Sequence, residues 1–295
     1  MTRMTESIPA KRNFTKLLNA RWRSVNSLAA VGIDPDISKI PQEVWTKVSD
    51  RENASVGLDY FCMEVVKSTS ELVCGYKIQP AFFTSLGEAG ERSLKNVLEF
   101  ILRQYPDIPI IMDGKFSDIS NTIAQYVRKV FDYLKADAVL VNPLMGSETV
   151  LPFAERTNKG VFVLCKTSNS SATEVLDLRT ESGKPVWKHL VELALEKWNA
   201  NGNIGVVLSA NAPKDLIGIR QVIGEAPILL AGVGAQGGNL AESLPHLIDR
   251  SGYGFFVPSS RGVIFAASNE NEPFSLAVER AARKLRDEIN ELVGR

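Results

Sequence analysis

Eight short apolar runs recur along the chain: LAAVGID from Leu28, LVCGYKI from Leu72, IPIIMDGK from Ile108, ADAVLVNP from Ala136, GVFVLCK from Gly160, NIGVVLS from Asn203, APILLAG from Ala226 and YGFFVPS from Tyr253. Each is continuously apolar rather than alternating, which predicts strands buried on both faces, as in a parallel sheet. The segments between them are long enough for crossover helices. Thr84 to Tyr105, for example, carries Leu86, Leu94, Val97, Leu98 and Ile101 at helical spacing and stops before Pro106. Eight strand-then-helix units fill the chain, so the simplest architecture is α/β: a single (β/α)8 TIM barrel over residues 1–295. Residues 1–27 read as an N-terminal helical extension (Phe14, Leu17, Leu18, Trp22), and Glu272 to Val293 as a closing C-terminal helix. The polar stretch Thr167 to Lys184 reads as a long loop after the fifth strand. A doubly wound open sheet is the alternative arrangement of the same elements.

Length and composition agree with one soluble globular unit: 295 residues, 44% hydrophobic and 23% charged. Lys plus Arg and Asp plus Glu are equal at 34 each, so no net charge draws nucleic acid or an anionic membrane. Three cysteines (Cys62, Cys74, Cys165) without a CxxC pair predict buried, reduced thiols. Two separated histidines, His189 and His246, make a His-rich metal site or a His-based relay a poor expectation. With no signal-like apolar segment and no run long enough to cross a bilayer, a cytoplasmic protein is expected.

In a barrel of this kind the chemistry gathers at the C-terminal ends of the strands. The polar residues that end the runs are Asp34, Lys77, Asp113 with Lys115, Asn142, Lys166 to Ser168, Ser209, Gln236, and Ser260 with Arg261. Asp113 and Lys115 are two apart, so strand geometry points both to one face; Asp118 follows as a helix begins at Ser117. With Lys77 they predict an alternating row of Lys, Asp, Lys and Asp. The structural reading is an ion pair with a helix cap at Asp118. The functional reading is that a lysine held between two carboxylates stays protonated and serves as a general acid. Holding several charges in a partly dry mouth is costly, which favours function.

A second cluster is GVGAQGG, Gly232 to Gly238, followed by Arg261 after the eighth strand. Backbone amides, a helix start and a bidentate Arg make a phosphate grip, and barrels commonly place one after strands seven and eight. Gly232, Gly234 and Gly237 also match GxGxxG, but no acidic residue ends the next strand where a dinucleotide site needs one.

The motif MDGKFSDISNT (Met112 to Thr122) resembles the D-x-K-x-x-D-I-x-x-T signature of the orotidine 5'-phosphate decarboxylase family, in its longer bacterial subgroup. VGIDPD from Val31, GYKIQPAFF from Gly75, VNPLMG from Val141, GVFVLCKTSNSS from Gly160, AGVGAQGG from Ala231 and SSRGVIFA from Ser259 extend the resemblance in order over nearly the whole chain. It implies cofactor-free and metal-free decarboxylation of orotidine 5'-monophosphate to UMP. Lys115 would protonate C6 of the pyrimidine and Asp113 and Asp118 would flank the departing carboxylate. Lys77 would complete the charge network and, with Asp34, touch the ribose. Ser168 would face the pyrimidine, and Gln236 and Arg261 would hold the phosphate. Asp118 and Thr122 would reach into a neighbouring subunit's site, making a homodimer with shared active sites the expected assembly. Gly114 and Phe116 depart from the family's usual Ala and Arg, Leu144 from a common Tyr, and Ala231 from a common Pro. Two other functions stay open. A Mg-dependent sugar-phosphate decarboxylase or aldolase of the same superfamily would carry a metal-binding Glu where this chain has Lys77, and a non-catalytic phosphate-ligand binder would have no use for Lys115 between carboxylates.

Overall fold

The computed structural model describes residues 12–48, 54–233, 237–269 and 272–295. Eight parallel strands close on themselves in sequence order: β1 (Ala29–Ile33), β2 (Tyr76–Ile78), β3 (Ile110–Phe116), β4 (Ala138–Val141), β5 (Gly160–Leu164), β6 (Ile204–Ser209), β7 (Ile228–Ala231) and β8 (Phe255–Ser259). Closure is made by β8 on β1, where Ala29 pairs with Val257 and Val31 with Ser259. Each strand falls on one of the eight apolar runs, β3 alone extending one residue past its run to Phe116, and the closed barrel excludes the open-sheet alternative. Apart from Lys77, Asp113, Lys115 and the serines that end β6 and β8, the strands are largely apolar because they are covered twice, by helices outside and by interior side chains inside. β1, β2, β4, β5 and β6 are buried over their whole length.

The helix before β1, Phe14–Ser24, starts with Asn13 accepting the amide of Lys16 and closes the base of the barrel. Phe14 meets Phe162 edge to face at 5.7 Å, and Phe162 meets Phe256 at 5.4 Å. A side chain on Gly160 would collide with the Phe14 ring, so a glycine at the start of β5 admits the plug. The apolar pattern after β2 resolves into a short helix, Ala81–Thr84, and a long one, Gly87–Gln104, with the break at Gly87 in the left-handed region (φ 65°). The closing helix is Phe274–Leu292, and its Phe274 stacks on Phe61 of the helix Ala54–Thr69 at 5.6 Å. The segment after β5 is not structureless: it holds a turn of helix at Ser170–Ala172, a short helix at Thr173–Leu176 and a bridge between Arg179 and Pro185. Among the described residues no helix is long and apolar enough to cross a membrane.

The helix after β3 begins at Ser120, not at Ser117. β3 runs on to Phe116, its register against β4 shifts between Met112 and Phe116, and Lys115 takes a left-handed backbone at φ 48°. That irregularity, rather than simple strand alternation, turns the Lys115 side chain back toward Asp113.

Candidate active site

The C-terminal ends of the strands surround a cavity of about 430 Å³, a size suited to a small organic ligand. Its floor is apolar, made by Leu140, Leu164, Val207 and Leu229 from β4 to β7. One wall is charged. Asp34 follows β1, Lys77 lies in β2, and Asp113 and Lys115 lie in β3, so three adjacent strands deliver four ionisable groups. They form one chain of contacts. The Lys77 ammonium lies 3.4 Å from Asp34 Oδ1 and donates to Asp113 Oδ2 at 2.5 Å, while Lys115 donates to Asp113 Oδ1 at 2.5 Å. The order is therefore Asp34, Lys77, Asp113, Lys115.

The two lysines are placed differently. The Lys77 side chain is 10% exposed and that of Lys115 45%. Burial alone would lower the Lys77 pKa, but the Asp113 and Asp34 carboxylates together outweigh it and hold the ammonium above its ordinary value. Lys77 is thus a fixed internal cation that fixes Asp113, and Asp113 in turn aims the more open Lys115 ammonium into the cavity.

The adjoining wall, on the other side of β1, belongs to the ends of β7 and β8: Gly232, Val233, Ser259, Ser260, Arg261 and Gly262. Gly232 has φ 89°, and a Cβ there would sit 2.7 Å from Ser168 Cβ, so glycine is needed both for the turn and for the close approach of the β5 loop. Gly32 plays the same steric part in β1, since a Cβ on it would meet Ser260 Oγ at 2.0 Å. The amide of Gly238 donates to the Gly232 carbonyl at 3.0 Å, pinching the base of the glycine-rich loop. Arg261 is exposed and lines the cavity, and among the described residues no carboxylate pairs with it. Gln236 lies outside the described residues. Ser168 and Thr167, from the loop after β5, join the two walls.

Of the remaining sequence candidates, Asp118 and Thr122 do not line this cavity, so among the described residues of one chain Lys115 has Asp113 alone for a carboxylate partner and the alternating row ends there. The Asp118 carboxylate accepts the Ile119 amide at 2.8 Å, and its carbonyl accepts the Thr149 hydroxyl at 2.7 Å, fixing the residue on the outer rim. Thr122 is exposed beside it. Asn142 accepts the amide of Leu144 and Ser209 the amide of Asn211, so both serve local turns. Lys166 is buried, but in an ion pair outside the cavity. His189 and His246 are not in the lining, and burial pushes all three cysteine thiols up, Cys74 to about 12.

Gln79 and Phe82 line the mouth without having been singled out from sequence. They stand just past β2, beyond Lys77, where a search for the first polar residue of each apolar run stops short. Among the described residues no group of three or more His, Cys, Asp and Glu side chains converges as a metal ion would require.

Residues 52–272 match the sequence pattern of the orotidine 5'-phosphate decarboxylase / HUMPS family. The chain is 35% identical over 280 residues to an orotidine 5'-phosphate decarboxylase of Janthinobacterium sp. (strain Marseille), covering 95% of this chain and 99% of the relative. It is 36% identical over 277 residues to the protein of that name from Cupriavidus metallidurans, covering 94% and 97%. Among solved structures, the OMP decarboxylase of Leishmania donovani superposes with a TM-score of 0.80 at 30% identity, over 96% of this chain and 99% of that one.

Proposed function

The chain belongs to the orotidine 5'-phosphate decarboxylase / HUMPS family, and from that premise we propose that it decarboxylates orotidine 5'-monophosphate to UMP, the closing reaction of pyrimidine nucleotide synthesis, without a metal or cofactor. The observation that carries this reading is the ordered ionic chain Asp34, Lys77, Asp113, Lys115 on one wall of a cavity whose other wall is a glycine-rich turn with Arg261.

Those two walls suit the two ends of a nucleotide. The phosphate lies against the turn at Gly232 and Arg261, and an arginine fork matches two phosphoryl oxygens. The ribose lies near Asp34 and Lys77, and the pyrimidine lies over the apolar floor beside Ser168. This placement sets C6 against Lys115. As the bond between C6 and the carboxylate breaks, CO2 leaves and the electron pair stays on C6 in the ring plane, where ring resonance stabilises it poorly. An ammonium already aimed at that carbon stabilises the charge as it develops and then supplies the proton, leaving a neutral lysine that recovers its proton from solvent. Asp113 holds that ammonium in place before the reaction begins. The remote phosphate supplies binding energy that orders the loops around the base.

Asp118 and Thr122 act in the site of a second copy. Their place on the outer rim supports this, as does the apolar surface next to them: Ile119, Leu144 and Met145 are all more than half exposed. A second chain seated on this surface would cover them and bring an Asp118 carboxylate to the Lys115 of its neighbour, so the homodimer supplies the second carboxylate that one chain lacks.

A magnesium-dependent reaction on a sugar phosphate is the other chemistry to consider in a barrel of this superfamily. Against it stands the donor set, because Lys77 occupies the strand end where a metal ligand would be needed and it engages both Asp34 and Asp113. The deciding experiment follows the loss of orotidine monophosphate absorbance with and without EDTA. Turnover unchanged by exhaustive chelation is expected. Activity that disappears with EDTA and returns with Mg2+ would overturn the metal-free reading.

A further inference from the structure

Lys166 is a buried cation at a functional strand end that the proposed chemistry does not use. It follows β5, two residues before Ser168, and its backbone amide still donates to the Val207 carbonyl of β6 at 3.1 Å. Its side chain is 7% exposed. The ammonium forms an ion pair with Asp177, which lies past the short helix on the far limb of the β5 loop. It also lies 3.3 Å from Asp215, in the helical turn Pro213–Leu216 after β6, and 5.7 Å from the ring centroid of buried Trp187. One cation therefore touches both limbs of the β5 loop and the β6 loop. Beside this tie, Asn211 of the β6 loop donates its side-chain amide to the Ser168 carbonyl at 2.8 Å. Ser168 is thus fixed from its own strand and from the side.

Burying an ammonium is expensive unless good partners surround it. Here the partners come from two different loops, each with its own short helical turns, and the ammonium is what joins one to the other. A methionine or leucine would fill the same space without binding the loops to each other.

We propose that Lys166 is a positioning residue. Its ionic tie to Asp177 and Asp215 fastens the β5 loop to the β6 loop and so holds Ser168 at the cavity wall, where the substrate base lies. The inference deepens the decarboxylase reading of the site and rests on it for the identity of the base. It assigns Lys166 no contact with substrate.

The test compares Lys166→Met, Lys166→Arg, Ser168→Ala and the double variant Lys166→Met/Ser168→Ala, with two measurements. The first is kcat/KM for orotidine monophosphate. Lys166→Met lowers it by about 10- to 100-fold, the scale of a misplaced contact near the chemistry. Lys166→Arg, which retains the charge, recovers most of the loss. In the double variant the Ser168 change adds less than about twofold, because Ser168 is already misplaced, and sites that act through one another are not additive. The second is hydrogen exchange of the ligand-free protein: amides of residues 167–178 exchange faster in Lys166→Met, while those of β1 to β4 do not. Should Lys166→Met fail to fold, Asp177→Asn and Asp215→Asn supply the same readings, since both carboxylates are 39% exposed and tolerate substitution. Multiplying effects of Lys166→Met and Ser168→Ala would overturn the proposal. So would unchanged exchange and unchanged kcat/KM in both aspartate variants. If the wild-type protein does not turn over orotidine monophosphate at all, the decarboxylase reading fails by itself, and exchange in residues 167–178 still decides whether Lys166 holds the loop.

Discussion

A methyl group added at Gly114 would lie 2.2 Å from two carbons of the Phe116 ring, and that ring has little room to retreat. It packs on Tyr126 at a centroid separation of 4.7 Å and on Phe153 at 6.3 Å. The two departures from the signature around Lys115 are thus one event: the aromatic ring at position 116 covers the space that the missing side chain at 114 leaves. Both flank a lysine whose backbone is already in the left-handed region, so the pair also bears on how Lys115 is presented. Gly114→Ala should therefore destabilise the protein by about 1–3 kcal/mol, as overpacking does. In a Phe116→Ala background the same change should add almost nothing. Urea unfolding of the two single variants and the double variant checks this, and strictly additive effects would show that the residues do not share the space.

At the scale of elements, the strands were legible in the sequence because a parallel barrel buries both faces of each strand, and uninterrupted runs such as GVFVLCK record that burial directly. The residues at the strand ends were legible for the complementary reason, as polar side chains terminating apolar runs. Contacts between distant segments carry no such local record. Arg12 lies just before the first helix and gives no signal of its own. Yet its guanidinium makes paired hydrogen bonds to Asp137, at 2.8 and 2.7 Å, and Asp137 also accepts the Ile110 amide at 2.9 Å. Asp137 is fully buried, so the segment leading into the first helix neutralises a carboxylate wedged between β3 and β4. The Lys166 tie escaped notice in the same way, and so did the twist at Lys115, because irregular strand geometry follows from packing around it. Arg12→Met should cost about 3–5 kcal/mol of stability, the usual penalty for leaving a buried charge without its partner. A loss below about 1 kcal/mol in denaturant unfolding would mean that solvent reaches Asp137 and that the anchor is dispensable.

For the whole molecule, the question is whether a second chain completes the site. Asp118 is held at the rim by Thr149 and is absent from the cavity lining, while the surface beside it carries Leu144 at 80% exposure. A two-fold dimer that buried this face would make each site a composite. If chains carrying Lys115→Ala and chains carrying Asp118→Ala exchange subunits at random, about half of the dimers are mixed. Each mixed dimer has one intact site of two, so activity returns to about a quarter of wild type. Proven exchange without recovery would place Asp118 in the site of its own chain, or outside any site.

If the ionic chain ending at Lys115 serves to deliver a proton to a carbanion, turnover of Lys115→Ala measured beside its affinity for UMP shows it most directly. Asp113 keeps its bond to Lys77 without Lys115, so the cavity should persist and still bind the product. Turnover should fall by at least about 100-fold, the lower range of what general acid catalysis supplies, with more lost because the electrostatic contribution disappears as well. Near-normal UMP binding with turnover almost abolished is the predicted result. Turnover above about a tenth of wild type with the nucleotide bound normally would contradict it.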